Sequence, residues 1–118
     1  MTAKEQDQVE EFKQRDRTVR AHEQAHLAAA GQVARVGPSF SYQRWPDGRQ
    51  YAVGGEVPID RSPVPGDPQA TIQKALNIQR AALAPADPSS ADCQIAARAA
   101  AMTAQARQEL SRRGQESE

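Results

Sequence analysis

A chain of 118 residues has room for one domain built on a single core. Lys plus Arg and Asp plus Glu stand at 15 each, so net charge gives no reason to expect a nucleic-acid partner or an attraction to a membrane surface. One cysteine, Cys93, excludes an intrachain disulfide and a cysteine-rich zinc site, and in an alanine-rich helix it reads as a small core residue.

Five aromatic residues against twenty-two alanines predict helices that approach closely on small side chains. A core this lean leaves a bound metal something to stabilise. No apolar run approaches membrane-spanning length and no secretory h-region opens the chain, so a soluble, cytoplasmic setting is the expectation.

Residues 4–30 read as one long helix. Phe12, Val19, His26 and Val33 recur every seven residues, and Asp16, Glu23 and Ala30 fill the interleaved places on the same inward stripe. Gly31 is a natural C-cap, and Gly37-Pro38 confirms the break. Pro46-Asp47-Gly48 then marks a turn between two β-compatible runs within 39–60, a hairpin. Strict alternation puts Tyr51, Val53, Val57 and Ile59 on one face of its second strand and Ala52, Gly54, Glu56 and Asp60 on the other, with a bulge at Gly54-Gly55 able to disturb the count.

Residues 61–67 form a Pro/Gly linker, closed by Asp67 as N-cap and Pro68 at the first helical position. The helix that follows reaches about Ala84 on a stripe of Ile72, Ala75, Leu76, Gln79 and Leu83. A last helix opens near Asp87-Pro88, with Ser89 a second cap, and runs to about Arg113 on Ile95, Ala99, Met102, Ala106 and Leu110. Residues 114–118 read as a frayed tail, and order is expected over about 5–112.

The chain's two histidines both lie in V-R-A-H-E-Q-A-H-L-A-A-A-G, four residues apart. At that spacing His22 and His26 project from one helix face and can share one Zn²⁺. Glu23 is turned about 100° from His22, too far to join the same ligand triangle easily but well placed to serve a water on the metal's open side. That order of residues suits hydrolysis, with the carboxylate moving the proton. Chance alone produces it in about one shuffled arrangement in a thousand.

Catalytic zinc takes three protein ligands and keeps an open position. With no third histidine, the remaining ligand must be a carboxylate. Glu56 comes first, on a strand face where Ala52 and Gly54 would let helix and strand approach closely; Asp60 on the same face is second, and Asp92 near the start of the last helix third, with an N-cap as its plain role. Asp16 reads as the i,i+4 partner of Arg20 before it reads as support for the metal site. Tyr42 and Tyr51 are possible oxyanion donors that nothing in the sequence separates.

The segments R-D-R-T-V-R-A-H-E-Q-A-H (15–26), P-D-G-R-Q-Y-A-V-G-G-E-V-P-I-D (46–60), G-D-P-Q-A-T-I-Q-K-A (66–75) and A-A-L-A-P-A-D-P-S-S-A-D (81–92) resemble, in the same order, a bacterial family called SprA-related and described as metalloproteases. The resemblance spans roughly residues 9–110. It implies a zincin-like metalloprotease with His22 and His26 as zinc ligands and Glu23 as acid and base, acting on a peptide or protein substrate. It also implies that this core can follow a long polar N-terminal region missing from this chain. The metzincin pattern, H-E-x-x-H-x-x-G-x-x-H, is absent. The second helix carries no acidic residue, so a gluzincin glutamate is not evident either.

The expected fold is therefore α+β across one domain, 1–118: a long H-E-x-x-H helix, a β-hairpin over its C-terminal half, and two further helices closing the core. Its expected function is a small zinc-dependent metallopeptidase. The competing readings are a non-catalytic zinc-stabilised protein-interaction domain, which would need a fourth ligand such as Asp60 beside Glu56, and a metal-free helical adaptor.

Overall fold

The computed structural model describes residues 1–34 and 36–116. Helix α1 is Ala3–Ala30 and ends in one 3-10 turn at Gly31–Val33; β1 is Ser39–Arg44, β2 is Gln50–Glu56, α2 is Pro68–Ala82 and α3 is Ser90–Glu116. Among the described residues the architecture is α+β, three α-helices and a two-stranded antiparallel hairpin, in the order the sequence predicts. No helix among them is long and apolar enough to cross a membrane.

Local signals set the ends of α1. Thr2 and Glu5 form a capping box, and Gly31 closes the helix with φ of 55°, a value that suits a residue without Cβ. The buried positions of α1 are Val9, Glu23, His26 and Ala30. Half of that set is polar, so the inward face of this helix is not an ordinary apolar stripe.

The hairpin lies along α1, with β2 running in the same direction as the helix. At its near end Phe12 packs on Trp45, ring centres 4.9 Å apart, and on Tyr51 at 6.0 Å. In the middle the Ala52 N–H donates to Asp16 Oδ1 over 2.7 Å, and Arg15 donates to the Val53 carbonyl over 3.1 Å. At the far end Gly55 meets Glu23, where an added Cβ would stand 3.1 Å from Glu23 Cγ and 2.8 Å from Phe40. A side chain at Gly55 would force strand and helix apart.

The register breaks at Val53, not at Gly54-Gly55. Ser41 pairs with Gly54 and Tyr42 with Ala52, leaving Val53 as the extra residue. Consecutive residues Tyr51 and Ala52 are therefore both buried, and strict alternation fails. The bulge sits where α1 side chains take the backbone groups of Ala52 and Val53, so helix docking replaces ladder bonds there.

Alanines make the main core, as the composition predicts: Ala30, Ala81 and Ala99 pack with Val33 and Ile78, flanked by Ile59 and Ile95. On α2 the buried positions are Thr71, Ala75, Ile78, Ala81 and Ala82, and Leu83 is exposed. The predicted stripe is thus turned by about one residue. Small side chains, not leucines, face α3 because they permit the closest approach. On α3, Ala96, Ala99, Thr103 and Ala106 are buried while Ile95, Met102 and Leu110 flank them. Cys93 is exposed rather than a core residue.

α3 continues past Arg113 through Glu116, and residues 117–118 of the expected tail lie outside the described residues. Asn77 donates to the Ala30 carbonyl over 3.0 Å and Asp60 N–H to the Val33 carbonyl over 2.9 Å, fastening α2 and the linker to the end of α1. The molecule measures 77 × 21 × 16 Å. Its hairpin layer and its α2–α3 layer meet at the C-terminal half of α1, where the motif lies.

Candidate metal centre

Two elements supply the centre. α1 presents His22 and His26, and the first turn of α3 presents Asp92. His22 Nε2 and His26 Nε2 are 3.2 Å apart; Asp92 Oδ2 is 3.1 Å from the first and Asp92 Oδ1 is 3.2 Å from the second. Three donors held about 2.0–2.1 Å from one tetrahedral ion stand roughly 3.3 Å from each other. The His–His separation meets that requirement; the two His–Asp separations are made by different carboxylate oxygens, and one donor atom from each residue lies within 4.8 Å of the others.

Proton bookkeeping leads to the same place. His26 Nδ1 is 2.8 Å from the Ala81 carbonyl, which can only accept, so Nδ1 carries the hydrogen. In the neutral ring Nε2 is then a bare lone pair facing a carboxylate oxygen at 3.2 Å. A metal ion or a proton on Nε2 would satisfy both, and His22 Nε2, 3.2 Å away, can also donate to this lone pair in its Nε2–H tautomer. The Ala81 contact is also the kind of outer hydrogen bond that fixes the tautomer of a metal-binding imidazole.

Asp92 is held by its own helix start. Ser89 N–H donates to Asp92 Oδ2 over 2.9 Å, and Asp92 N–H donates to Ser89 Oγ over 3.1 Å. This reciprocal cap fixes the carboxylate while leaving both oxygens in contact with the imidazoles. Burial works to raise the Asp92 pKa, but the Ser89 hydrogen bonds and the two imidazoles outweigh it and hold the group below its ordinary value. Asp92 is therefore an anion when the site is assembled.

Glu23 is 5 % exposed, yet no described group hydrogen-bonds or ion-pairs with its carboxylate. Burial raises its pKa. The nearby imidazoles oppose that rise, and Asp92 and Glu56 add to it. Its oxygens are not sealed off: the residue borders a cavity of about 440 Å³ shared with His22, His26 and Asp92.

Glu56 borders the same cavity but stands outside the three-donor group; its side chain is exposed at the end of β2. Asp60 is turned elsewhere, 3.0 Å from Lys74 Nζ and bonded to Ser62. Asp92, third in the sequence ranking, is the carboxylate brought to the histidines. The S-S-A-D spacing that makes Ser89 a cap was its signal. Nothing local announces Ala81, whose role depends on how α2 crosses α1.

Asp16 pairs with Arg20 at 3.0 Å, as its spacing predicts, and also holds the hairpin through Ala52. Tyr51 donates to Asp47 at the hairpin turn, and Tyr42 lies under Arg20; neither borders the cavity.

The sequence model of the SprA-related family matches residues 1–117. The chain belongs to the SprA-related family. No curated protein and no solved structure matches it.

Proposed function

We propose that this SprA-related protein is a small zinc-dependent peptidase of zincin-like chemistry, with Glu23 as the residue that moves the proton. The observation that carries the reading is the unpartnered Glu23 carboxylate at the cavity beside three donor groups that lie within 4.8 Å of one another. Two imidazoles and a carboxylate are a donor set that suits zinc, and three protein ligands leave a position open for chemistry. Zinc bound there supplies a Lewis acid that lowers the pKa of a water and polarises an amide carbonyl.

The protein's own groups do the rest. His26 is locked by Ala81, and Asp92 by Ser89, so the donors need little rearrangement. Glu23 accepts a proton from water and returns it to the departing amine. Its raised pKa, caused first by burial, moves it toward the range where one group can do both near neutrality. Gly55 lets the β2 backbone pass close to Glu23, which fixes the stem of this side chain between helix and strand.

The test is a comparison of the parent with Glu23→Gln. Both should retain about one zinc per chain after dialysis against a weak chelator. Cleavage of a quenched-fluorescent peptide library by the variant should fall about 10²–10⁴-fold. A parent without zinc, or a variant as active as the parent, would sink the proposal.

One observation favours a second reading, a zinc-stapled interaction domain. The backbones of α1 and α3 nowhere approach within 8 Å among the described residues, so the His–Asp group is a direct tie between them. If stapling were the whole function, Glu23→Gln would leave it intact while chelation would unfold the domain.

A further inference from the structure

The cavity that holds the donor group is bordered by three carboxylates, Glu23, Glu56 and Asp92, and by no lysine or arginine. A divalent ion there balances Asp92 and Glu23. Glu56 is then the surplus charge. Its carboxylate makes no ion pair or hydrogen bond with any described residue, and the arginines along that face are engaged, Arg15 on the Val53 carbonyl and Arg20 on Asp16.

Resting on the peptidase reading, we infer that Glu56 selects substrates that carry a cationic group next to the scissile bond. Its position explains how. Glu56 ends β2 two residues after Gly54, which borders the cavity with open space where a side chain would stand and so leaves room for a peptide backbone beside Glu56. A cation of the peptide reaches Glu56 while the neighbouring amide lies over Glu23. The cation has two sources, a lysine or arginine side chain or the free α-amine of a peptide's first residue. Each predicts a different enzyme, an endopeptidase with a basic preference or an aminopeptidase.

The experiment uses the zinc-loaded parent and Glu56→Gln with three sets of fluorescent hexapeptides. One set is N-acetylated with lysine scanned through the positions, one is N-acetylated with norleucine instead, and one carries norleucine with a free N-terminus. Affinity is read by anisotropy on ice with peptide integrity followed by mass spectrometry. For peptides that are cleaved, relative kcat/KM in mixed-substrate competition replaces affinity.

One cationic set should exceed the capped norleucine set by about three- to tenfold at low salt, the size expected of a partly solvated charge pair. The preference should collapse toward unity in Glu56→Gln and in about 0.5 M salt, while that variant keeps the parent's zinc affinity. Equal use of all three sets, binding of none, a preference that survives Glu56→Gln, or loss of zinc from that variant would each overturn the inference. Cleavage without charge preference would refute only the role of Glu56. A charge preference in binding without any cleavage would refute the peptidase reading and leave Glu56 as a selector.

Discussion

Asp92→Asn is the substitution that bears most directly on the metal centre, because asparagine keeps the shape and one acceptor oxygen but removes the charge. In the parent, one oxygen faces His22 and the other His26, so the carboxylate is engaged on both sides. Zinc binding by structural sites amounts to about 10–16 kcal/mol over four ligands, roughly 3–4 kcal/mol for each. Loss of one ligand should therefore weaken zinc about 10²–10³-fold. The metal-free fold should change much less. The amide oxygen of asparagine can still accept from Ser89 N–H, which limits the capping loss to under about 1 kcal/mol and the fall in Tm to about 4–8 °C at most. Competition with a chromophoric chelator gives the affinity, and melting of the metal-free proteins gives the stability. An Asp92→Asn protein that binds zinc like the parent would refute the assignment. If Glu56→Gln lost the metal in the same assay, the third ligand would move to the end of β2.

Two other variants probe how the hairpin positions the site. Gly55→Ala places a Cβ 2.8 Å from Phe40 Cδ1, 2.9 Å from the Ser39 carbonyl and 3.1 Å from Glu23 Cγ. It should cost about 1–3 kcal/mol of stability and depress peptide cleavage with zinc stoichiometry retained; parent-like melting and activity would show that strand and helix part easily. Asp16→Ala deprives the fully buried Ala52 N–H of its acceptor and should cost about 1–3 kcal/mol in denaturant unfolding, whereas Asp16→Asn keeps an acceptor and should cost less. The Ala52 N–H bond, ahead of Arg20, holds the Asp16 carboxyl below its ordinary pKa. A depressed carboxyl pKa adds stability that is present above about pH 4 and lost as pH falls through the folded value. Asp16→Asn should therefore lose less stability than the parent on acidification below pH 4, and equal acid sensitivity would remove Asp16 from the explanation.

Features that depend on neighbours along the chain are legible in the residues alone. His22, Glu23 and His26 are within one turn of a helix, and helical geometry alone places the two imidazoles side by side; the structure has their nitrogens 3.2 Å apart. The turn at Pro46-Asp47-Gly48, the Asp67-Pro68 helix start and the element order are likewise local chemistry, and each is found where its residues predict. The stripes were less legible. With so many alanines, period alone does not say which small face packs tightest, so α2 turned by about one residue and Cys93 came out exposed.

Which carboxylate meets the histidines depends on long-range packing. The sequence ranks Glu56 first, Asp60 second and Asp92 third, and the structure brings the third of them to the imidazoles. The bulge at Val53 and the docking of α1 side chains onto Ala52 and Val53 leave Glu56 at the cavity rim, Lys74 engages Asp60, and the α2–α3 layer returns Asp92 to His22 across 70 residues of sequence. The physical reason is one of range. Caps, turns and i,i+4 pairs follow from torsions within a few residues, whereas a ligand from a distant helix is placed by the packing of every element between.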